Sequence, residues 1–167
     1  MKTQPVQVSD TQTRSQSILG PVVIELSNLN VAGVGESFRF PETIAPADSP
    51  YIIADTETFK LSVDIEFNQQ PLTQLLVCLG TTINVKFALE GLGNSAPDVD
   101  LAVKAVTRKD EFTYTVTFEG IPQDAGMAAG RYAISATVEI GPADHDCSQQ
   151  VYGYGYIAGV LLQMYAA

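Results

Sequence analysis

Alternation of apolar and polar residues with a period of two is the strongest pattern in this chain. It occurs in four separate segments, at residues 59–67, 82–90, 111–119 and 131–140. Successive side chains of a β-strand point to opposite faces, so each segment predicts a strand with one buried and one solvated face. Strands of this kind are typical of antiparallel sheets, because the strands of parallel sheets are usually covered on both faces.

Three shorter segments, at 21–27, 36–40 and 100–106, are further strand candidates. Turn sequences that contain Gly, Pro, Asn and Asp separate the candidate strands. Many short strands joined by such turns predict an all-β fold, namely an antiparallel β-sandwich of about seven to nine strands. Closure of the sheets into a barrel is the alternative that the sequence leaves open.

Residues 71–79 depart from the alternation. Four leucines follow the i, i+3, i+4, i+7 spacing of a helix: Leu72, Leu75, Leu76 and Leu79. Pro71 suits a first helical position and Gly80 suits a helix end. The short length and Val77 favour a strand instead. The sequence therefore predicts at most one short helix, near 71–79.

Residues 111–140 place an acidic residue and two glycines before a tyrosine, as Asp124, Gly126, Gly130 and Tyr132. This passage resembles the E strand, the E–F corner and the F strand of immunoglobulin-like sandwiches, in which a tyrosine hydroxyl binds the backbone of the corner. The resemblance implies an immunoglobulin-like architecture and a structural role for Tyr132. It implies no activity, because this architecture serves many functions.

Charge and hydropathy exclude several classes of partner. Nine Lys and Arg against nineteen Asp and Glu give a formal net charge of −10, which argues against nucleic acid and anionic membranes. No apolar run approaches the ~20 residues of a membrane span. Residues 1–17 contain too few apolar residues for an export signal or a packed segment. We therefore expect a flexible N-terminal arm, a single domain over 18–167, and a cytoplasmic location.

The two cysteines are 69 positions apart in sequence and form no CxxC motif. Cys78 lies in an apolar run and is expected to be buried, whereas Cys147 lies in a polar loop. Both are expected to be free thiols in a cytoplasmic protein, and a disulfide between them is the alternative.

Two short segments contain residue types that bind metal ions. Asp144, His145 and Asp146 are consecutive, and at most two of them can reach one ion from an extended chain. Asp98 and Asp100 offer oxygen ligands for calcium but lack the rest of an EF-hand loop. Solvated loops explain both segments, so we predict no metal, no cofactor and no catalytic residue.

The C-terminal segment 151–165, VYGYGYIAGVLLQMY, is apolar on both faces and carries no charge. A strand of this kind requires cover on both faces, because each large apolar side chain left in water forgoes about 1.5–3 kcal/mol. Strict alternation places the even-numbered tyrosines on one face and Leu161 on the other. We expect six residues to form an interface: Tyr152, Tyr154, Tyr156, Ile157, Leu161 and Tyr165.

Three kinds of cover are open. The 71–79 segment or the 41–56 loop can fold over the strand, or a second copy of the chain can pack on it. Alternatively, Gly153 and Gly155 can leave a lane beside the tyrosines on which a sugar ring stacks.

The sequence favours a non-catalytic binding or structural module that acts through a protein interface and self-associates through strand 151–165 as a homo-oligomer. The alternative function is a carbohydrate- or small-ligand-binding β-sandwich. A third reading is an enzyme whose carboxylate site carries no recognisable motif.

Overall fold

A computed structural model describes residues 19–34, 52–143 and 150–167 of the chain. The predicted arm at 1–17, the candidate strand at 36–40, and the segment that contains Asp144, His145, Asp146 and Cys147 lie outside the described residues. The described residues form eight strands and one helix. These elements are β1 (Ile24–Gly33), β2 (Ile52–Ala54), β3 (Phe59–Phe67), α1 (Pro71–Leu79), β4 (Thr81–Leu92), β5 (Val99–Val106), β6 (Thr113–Gly120), β7 (Gly130–Ala143) and β8 (Gly153–Tyr165).

The strands form two sheets, one of three strands in the order β1-β3-β6 and one of five strands in the order β2-β8-β7-β4-β5. Every pairing is antiparallel except that of the short strand β2, which runs parallel to the end of β8. The first, third and sixth strands share one sheet, and the fourth, seventh and eighth share the other. This is the A-B-E and C-F-G partition of an immunoglobulin-like sandwich. The predicted fold class is confirmed.

The core lies between the two sheets and is filled by the apolar positions of the alternating segments. In β3, all five apolar residues from Phe59 to Phe67 are buried, whereas Lys60 and Glu66 are exposed. The same pattern holds in β4 and β7, whose buried residues face β3 across the sandwich. Aromatic pairs join strands within the three-stranded sheet, including Phe67 and Tyr114 with ring centroids 5.8 Å apart.

Tyr132 ties the corner before β7 to the strand. Its side chain is fully buried, and its hydroxyl accepts a hydrogen bond from the Ala128 N–H at 3.0 Å and donates one to the Ala128 carbonyl at 2.9 Å. A corner tyrosine of an immunoglobulin-like sandwich makes contacts of this kind. The hydroxyl thereby fixes the direction in which β7 enters the five-stranded sheet.

Residues 71–79 form the helix α1, which begins at Pro71 and ends at Gly80 in the left-handed conformation (φ +84°). Its buried face differs from the leucine spacing, because Thr73, Leu76 and Val77 are the buried residues. The hydroxyl of Thr81 binds the Leu76 carbonyl at 2.8 Å, and this contact directs that face toward β4. Two of the four leucines, Leu75 and Leu79, are therefore exposed.

The prediction that Cys78 is buried is wrong, because this cysteine is exposed on α1. The apolar residues around it in sequence suggested a buried position. However, a helix turns its residues through all directions, and Cys78 falls on the solvent side of Val77. No disulfide involving Cys78 occurs, and its thiol is free.

The outward face of the three-stranded sheet is polar and strongly acidic. Its charged residues are Glu25, Lys60, Asp64, Glu66 and Glu119. The Asp64 carboxylate accepts hydrogen bonds from the Thr115 hydroxyl at 2.6 Å and from the Asn28 amide at 2.7 Å. These two hydrogen bonds hold the pKa of Asp64 below its ordinary value of 3.8, because they stabilise the charged form.

We predict that Tyr132→Phe lowers the free energy of unfolding by about 1–3 kcal/mol, because two hydrogen bonds of the corner are lost and no packing volume is removed. Urea denaturation of the two proteins measures the difference. Tyr154→Phe is the matched control, since the Tyr154 side chain is exposed, and its stability should equal that of the wild type within about 0.5 kcal/mol. Equal losses in both variants would contradict the structural role of the Tyr132 hydroxyl.

We predict that Asp64 makes stability depend on pH. Since its pKa is lower in the folded state than in the unfolded chain, its contribution is fully present above about pH 4–5 and is lost as the pH falls through the folded pKa. Asp64→Asn should therefore be less stable than the wild type at pH 7, and the gap should narrow at pH 2. Urea denaturation at both pH values tests this, and a gap that does not change with pH would contradict it.

Candidate interface on the five-stranded sheet

The inward side of β8 is covered by the chain itself. Ile157, Val160, Leu162 and Met164 pack into the core. The two glycines at the start of the strand also face inward, since a Cβ added at Gly155 would lie 2.7 Å from a methyl carbon of Leu26 in β1. The lane beside the tyrosines that the ligand-binding alternative requires is therefore filled by side chains of β1.

A β-bulge at Gly159 interrupts the alternation of β8. The register with β7 shifts between Ile134 and Ser135, which pair with Val160 and Ala158, and Gly159 remains as the extra residue at φ +105°. A bulge of this kind adds one residue to one strand and exchanges the faces of all residues that follow. The strict alternation predicted for residues 151–165 is wrong beyond Ala158 for this reason.

The bulge brings side chains from both predicted faces to one outward surface. Four large residues of β8 lie there with high exposed fractions: Tyr154 (67%), Tyr156 (63%), Leu161 (63%) and Tyr165 (41%). We call these four residues the β8 patch. Of the other two interface candidates, Ile157 packs against the core, and Tyr152 is half-buried before the strand, where its N–H donates to the Ile140 carbonyl at 2.7 Å.

The neighbouring strands extend this surface with small and charged side chains. Next to the β8 patch, β7 presents Ala133, Ser135 and Thr137, which are short. The charged residues of the surface are Lys86, Glu90, Asp100, Lys104, Arg131 and Glu139. Three are basic and three are acidic, so this outward face is balanced in charge within a strongly acidic chain. We call the whole surface, including the β8 patch, the outward sheet face.

One ion pair is formed on this surface. The Lys86 ammonium lies 3.1 Å from the Asp100 carboxylate, and both side chains are more than half exposed. An exposed pair of this kind contributes about 0–1 kcal/mol, because water screens the attraction. The pair therefore orients Lys86, and the other N–H donors of its ammonium are available for further polar contacts.

A groove of about 270 Å³ opens beside the β8 patch, between the ring of Tyr154 and the side chains of Lys86 and Lys104. Asn84, Ala102, Thr137 and Glu139 also line it. Pockets for drug-sized ligands measure about 300–1,000 Å³, so this groove is better matched to one or two side chains. It contains one carboxylate, and no histidine lines it.

The residues expected to cover β8 lie elsewhere or outside the described residues. The 71–79 segment forms α1, which packs against β4 and reaches the loop after β5, where the Thr107 hydroxyl donates to the Val77 carbonyl at 3.0 Å. Residues 52–54 form β2 beside β8 in the same sheet, and residues 41–51 lie outside the described residues. Within the described residues, the β8 patch remains open to solvent.

The calcium candidates are occupied by contacts within the chain. Asp98 accepts a hydrogen bond from the Gly91 N–H at 2.9 Å, and Asp100 pairs with Lys86. Over residues 19–34, 52–143 and 150–167, no group of three or more His, Cys, Asp or Glu side chains converges as metal ligands would.

The sequence alone does not reveal that the charged residues of β4 and β7 belong to the same surface as the β8 patch. Alternation gives the side of the sheet on which Lys86 or Glu139 lies. It does not give the order of the strands or their register, which bring Lys86 level with Thr137 and Tyr156. Only strand pairing supplies this information.

We predict that the bulge depends on glycine at position 159. Gly159→Val should destabilise the fold by about 1–3 kcal/mol, because a β-branched residue is strained at φ +105°. A Cβ at this position would meet no atom within 4 Å, so the loss would report backbone strain rather than a clash. Thr117→Val is the matched control at an exposed strand position of the other sheet and should change the free energy of unfolding by less than about 0.5 kcal/mol. Equal urea midpoints for the two variants would contradict the prediction.

No family model and no curated protein matches this chain. A β-glucosidase from Listeria innocua is 13% identical over 86% of this chain, with a TM-score of 0.37. The chain spans 16% of that enzyme's length. AggA, the major subunit of aggregative adherence fimbriae type I from Escherichia coli, is 10% identical, with a TM-score of 0.36 and coverage of 88% of this chain and 95% of the subunit.

Similarities at this level do not establish a family or an activity for the chain. No helix among the described residues has the length and hydropathy needed to cross a membrane.

Proposed function

We propose that this protein is a non-catalytic binding or structural module that self-associates through the outward sheet face, to which the β8 patch contributes the largest apolar side chains. The observation that carries this proposal is the exposure of Tyr154, Tyr156 and Leu161 on one side of a single strand. Covering each such side chain yields about 1.5–3 kcal/mol, so association at this surface has a substantial hydrophobic driving force. Tyrosine is also among the residue types enriched in protein interfaces.

The opposite side of the sandwich supplies the contrast. Within β1, β3 and β6, the outward positions are occupied by Ser, Thr, Asn, Ala32 and charged side chains, and none is a large apolar residue. The exposed Val23 and Val34 lie just beyond the two ends of β1. An acidic, hydrated surface of this kind is costly to desolvate. The two outward faces therefore differ in exposed apolar surface, and this difference favours the five-stranded sheet as the side on which a protein partner binds.

We predict that Leu161→Glu dissociates the assembly and leaves the monomer folded. Leu161 is exposed and lies outside the core, so a carboxylate there should be tolerated in the monomer and should be costly within an interface. Size-exclusion chromatography with light scattering gives the mass at micromolar concentration, and circular dichroism reports the fold. A monomeric wild-type protein would overturn the self-association.

Leu75→Glu is the matched control for this experiment. The two leucines have similar exposed fractions, 53% for Leu75 and 63% for Leu161, but Leu75 lies on α1, away from the β8 patch. The control variant should retain the wild-type mass. Loss of the assembly in Leu75→Glu with retention in Leu161→Glu would place the interface on the helix instead.

A further inference from the structure

The outward sheet face has a row of small side chains at its centre. Ala158 of β8 pairs with Ser135 of β7, and Ser135 pairs with Ala88 of β4. These three residues lie side by side across three adjacent strands, and we call them the central row. The row continues in β5 with Asp100, which pairs with Ala88. Because the side chains of the three residues are short, another surface can approach the sheet more closely here than at the rows on either side.

The rows next to the central row are complementary in chemistry. On one side, Tyr156 lies level with Lys86, with Thr137 between them. On the other side, Leu161 lies level with Glu90, with Ala133 between them. In β8, an aromatic residue, Tyr156, and an aliphatic residue, Leu161, therefore lie on opposite sides of the central row. In β4, a cation, Lys86, and an anion, Glu90, do the same.

The complementarity continues one row further out. Glu139 and Asn84 lie two rows from the centre on the first side, and Arg131 and Leu92 lie two rows from the centre on the other. Glu139 and Arg131 belong to β7, and Asn84 and Leu92 belong to β4. A half-turn about the central row therefore superimposes an anion on a cation in β7 and an exposed leucine on a residue that lines the groove in β4.

We propose that a second copy of the chain docks on the outward sheet face by a two-fold axis that lies along the central row, at right angles to the strands. This inference rests on the proposed self-association and specifies its geometry. Each strand then lies over the same strand of the second copy in the opposite direction. Tyr156 meets Leu161 of the second copy, Lys86 meets Glu90, and Glu139 meets Arg131, and the symmetry makes each contact twice.

In this arrangement, a side chain of the second copy lies in the groove. Leu92 of the second copy lies opposite Asn84, which lines the groove. Leu92 is an exposed apolar residue at the end of β4, with 45% of its surface accessible. The groove volume of about 270 Å³ can hold the leucine side chain together with part of the Arg131 side chain that reaches Glu139.

Charge selects a second copy over other partners. The chain carries a formal net charge of −10, so two copies repel each other at most orientations. The outward sheet face is balanced in charge, and the half-turn pairs Lys86 with Glu90 and Glu139 with Arg131. It also places Asp100 opposite Asp100 of the second copy, and Lys86, which lies 3.1 Å from Asp100 in its own copy, offsets this like-charge contact. A basic protein would instead favour the acidic face of the three-stranded sheet, which carries four acidic residues and only Lys60.

The geometry and size of the contact are those of known sheet packing. Two sheets pack face to face about 10 Å apart, with strand directions within about 30°. Four strands at about 4.8 Å and about ten residues at about 3.3 Å span a plane of roughly 600 Å². Side chains raise the accessible surface above that of the plane, toward the ~800 Å² per partner of a stable interface.

Charge exchange between Glu139 and Arg131 tests this geometry. Glu139→Arg alone and Arg131→Glu alone each place like charges opposite one another twice, so each should weaken the dimer about tenfold or more. The double variant restores both pairs and should return the dissociation constant to within about threefold of the wild type. The two residues lie eight positions apart on one strand, about 26 Å, so a rescue cannot arise within one chain. Sedimentation equilibrium measures the dissociation constants.

The controls match the change in net charge on the other sheet. Glu66→Arg and Lys60→Glu alter exposed residues of β3 and should leave the dissociation constant unchanged. Weakening by both single variants with rescue by the double variant supports the proposed axis. A wild-type dimer that Leu161→Glu dissociates but that the charge exchange does not affect would overturn the axis and retain the proposed function. A monomeric wild-type protein would overturn both.

Discussion

The backbone at Gly159 determines which residues of β8 reach the surface. One extra residue in this strand exchanges its faces, so that Leu162 and Met164 fill the core while Leu161 joins Tyr154 and Tyr156 outside. Without the bulge, continued alternation would place Leu162 and Met164 on the side of Tyr154. Leu161 would then face the core, and Leu162 and Met164 would face solvent. A single left-handed glycine conformation therefore supports both the end of the core and the candidate interface.

The fold was predictable from sequence because each alternating segment carries its own evidence. The nine residues from Phe59 to Phe67 form β3 as predicted, and the segments at 82–90 and 131–140 lie within longer strands. The corner tyrosine was predictable for the same reason, since Tyr132 and its partner Ala128 are four residues apart in the chain. Features that depend on neighbours in sequence are visible in sequence, and the two-sheet architecture follows from them.

The candidate site was less predictable because it depends on register and on one backbone angle. The β8 patch was recognised as apolar, but alternation assigned Leu161 and Tyr156 to opposite faces. Cys78 illustrates the same difficulty on α1: the leucine spacing left both a helix and a strand open, and contacts with Thr81 and Thr107 decided which side of the helix is buried. The buried faces of β8 and α1 are decided by tertiary contacts, whose energies exceed local preferences of a few tenths of a kcal/mol.

For the proposed self-association, the distribution of charge over the two outward faces would control the orientation in which a second copy binds. A sheet with an apolar strand near its edge is prone to unspecific pairing, and charges and bulges are the common means by which proteins prevent it. In the proposed dimer, the acidic three-stranded face would repel other copies, whereas the balanced face would favour orientations that bring Lys86 and Arg131 to carboxylates. The hydrophobic side chains of β8 would provide the driving force of the proposed dimer at every orientation. The charged side chains of β4 and β7 would then supply its specificity, because they penalise orientations that place like charges together.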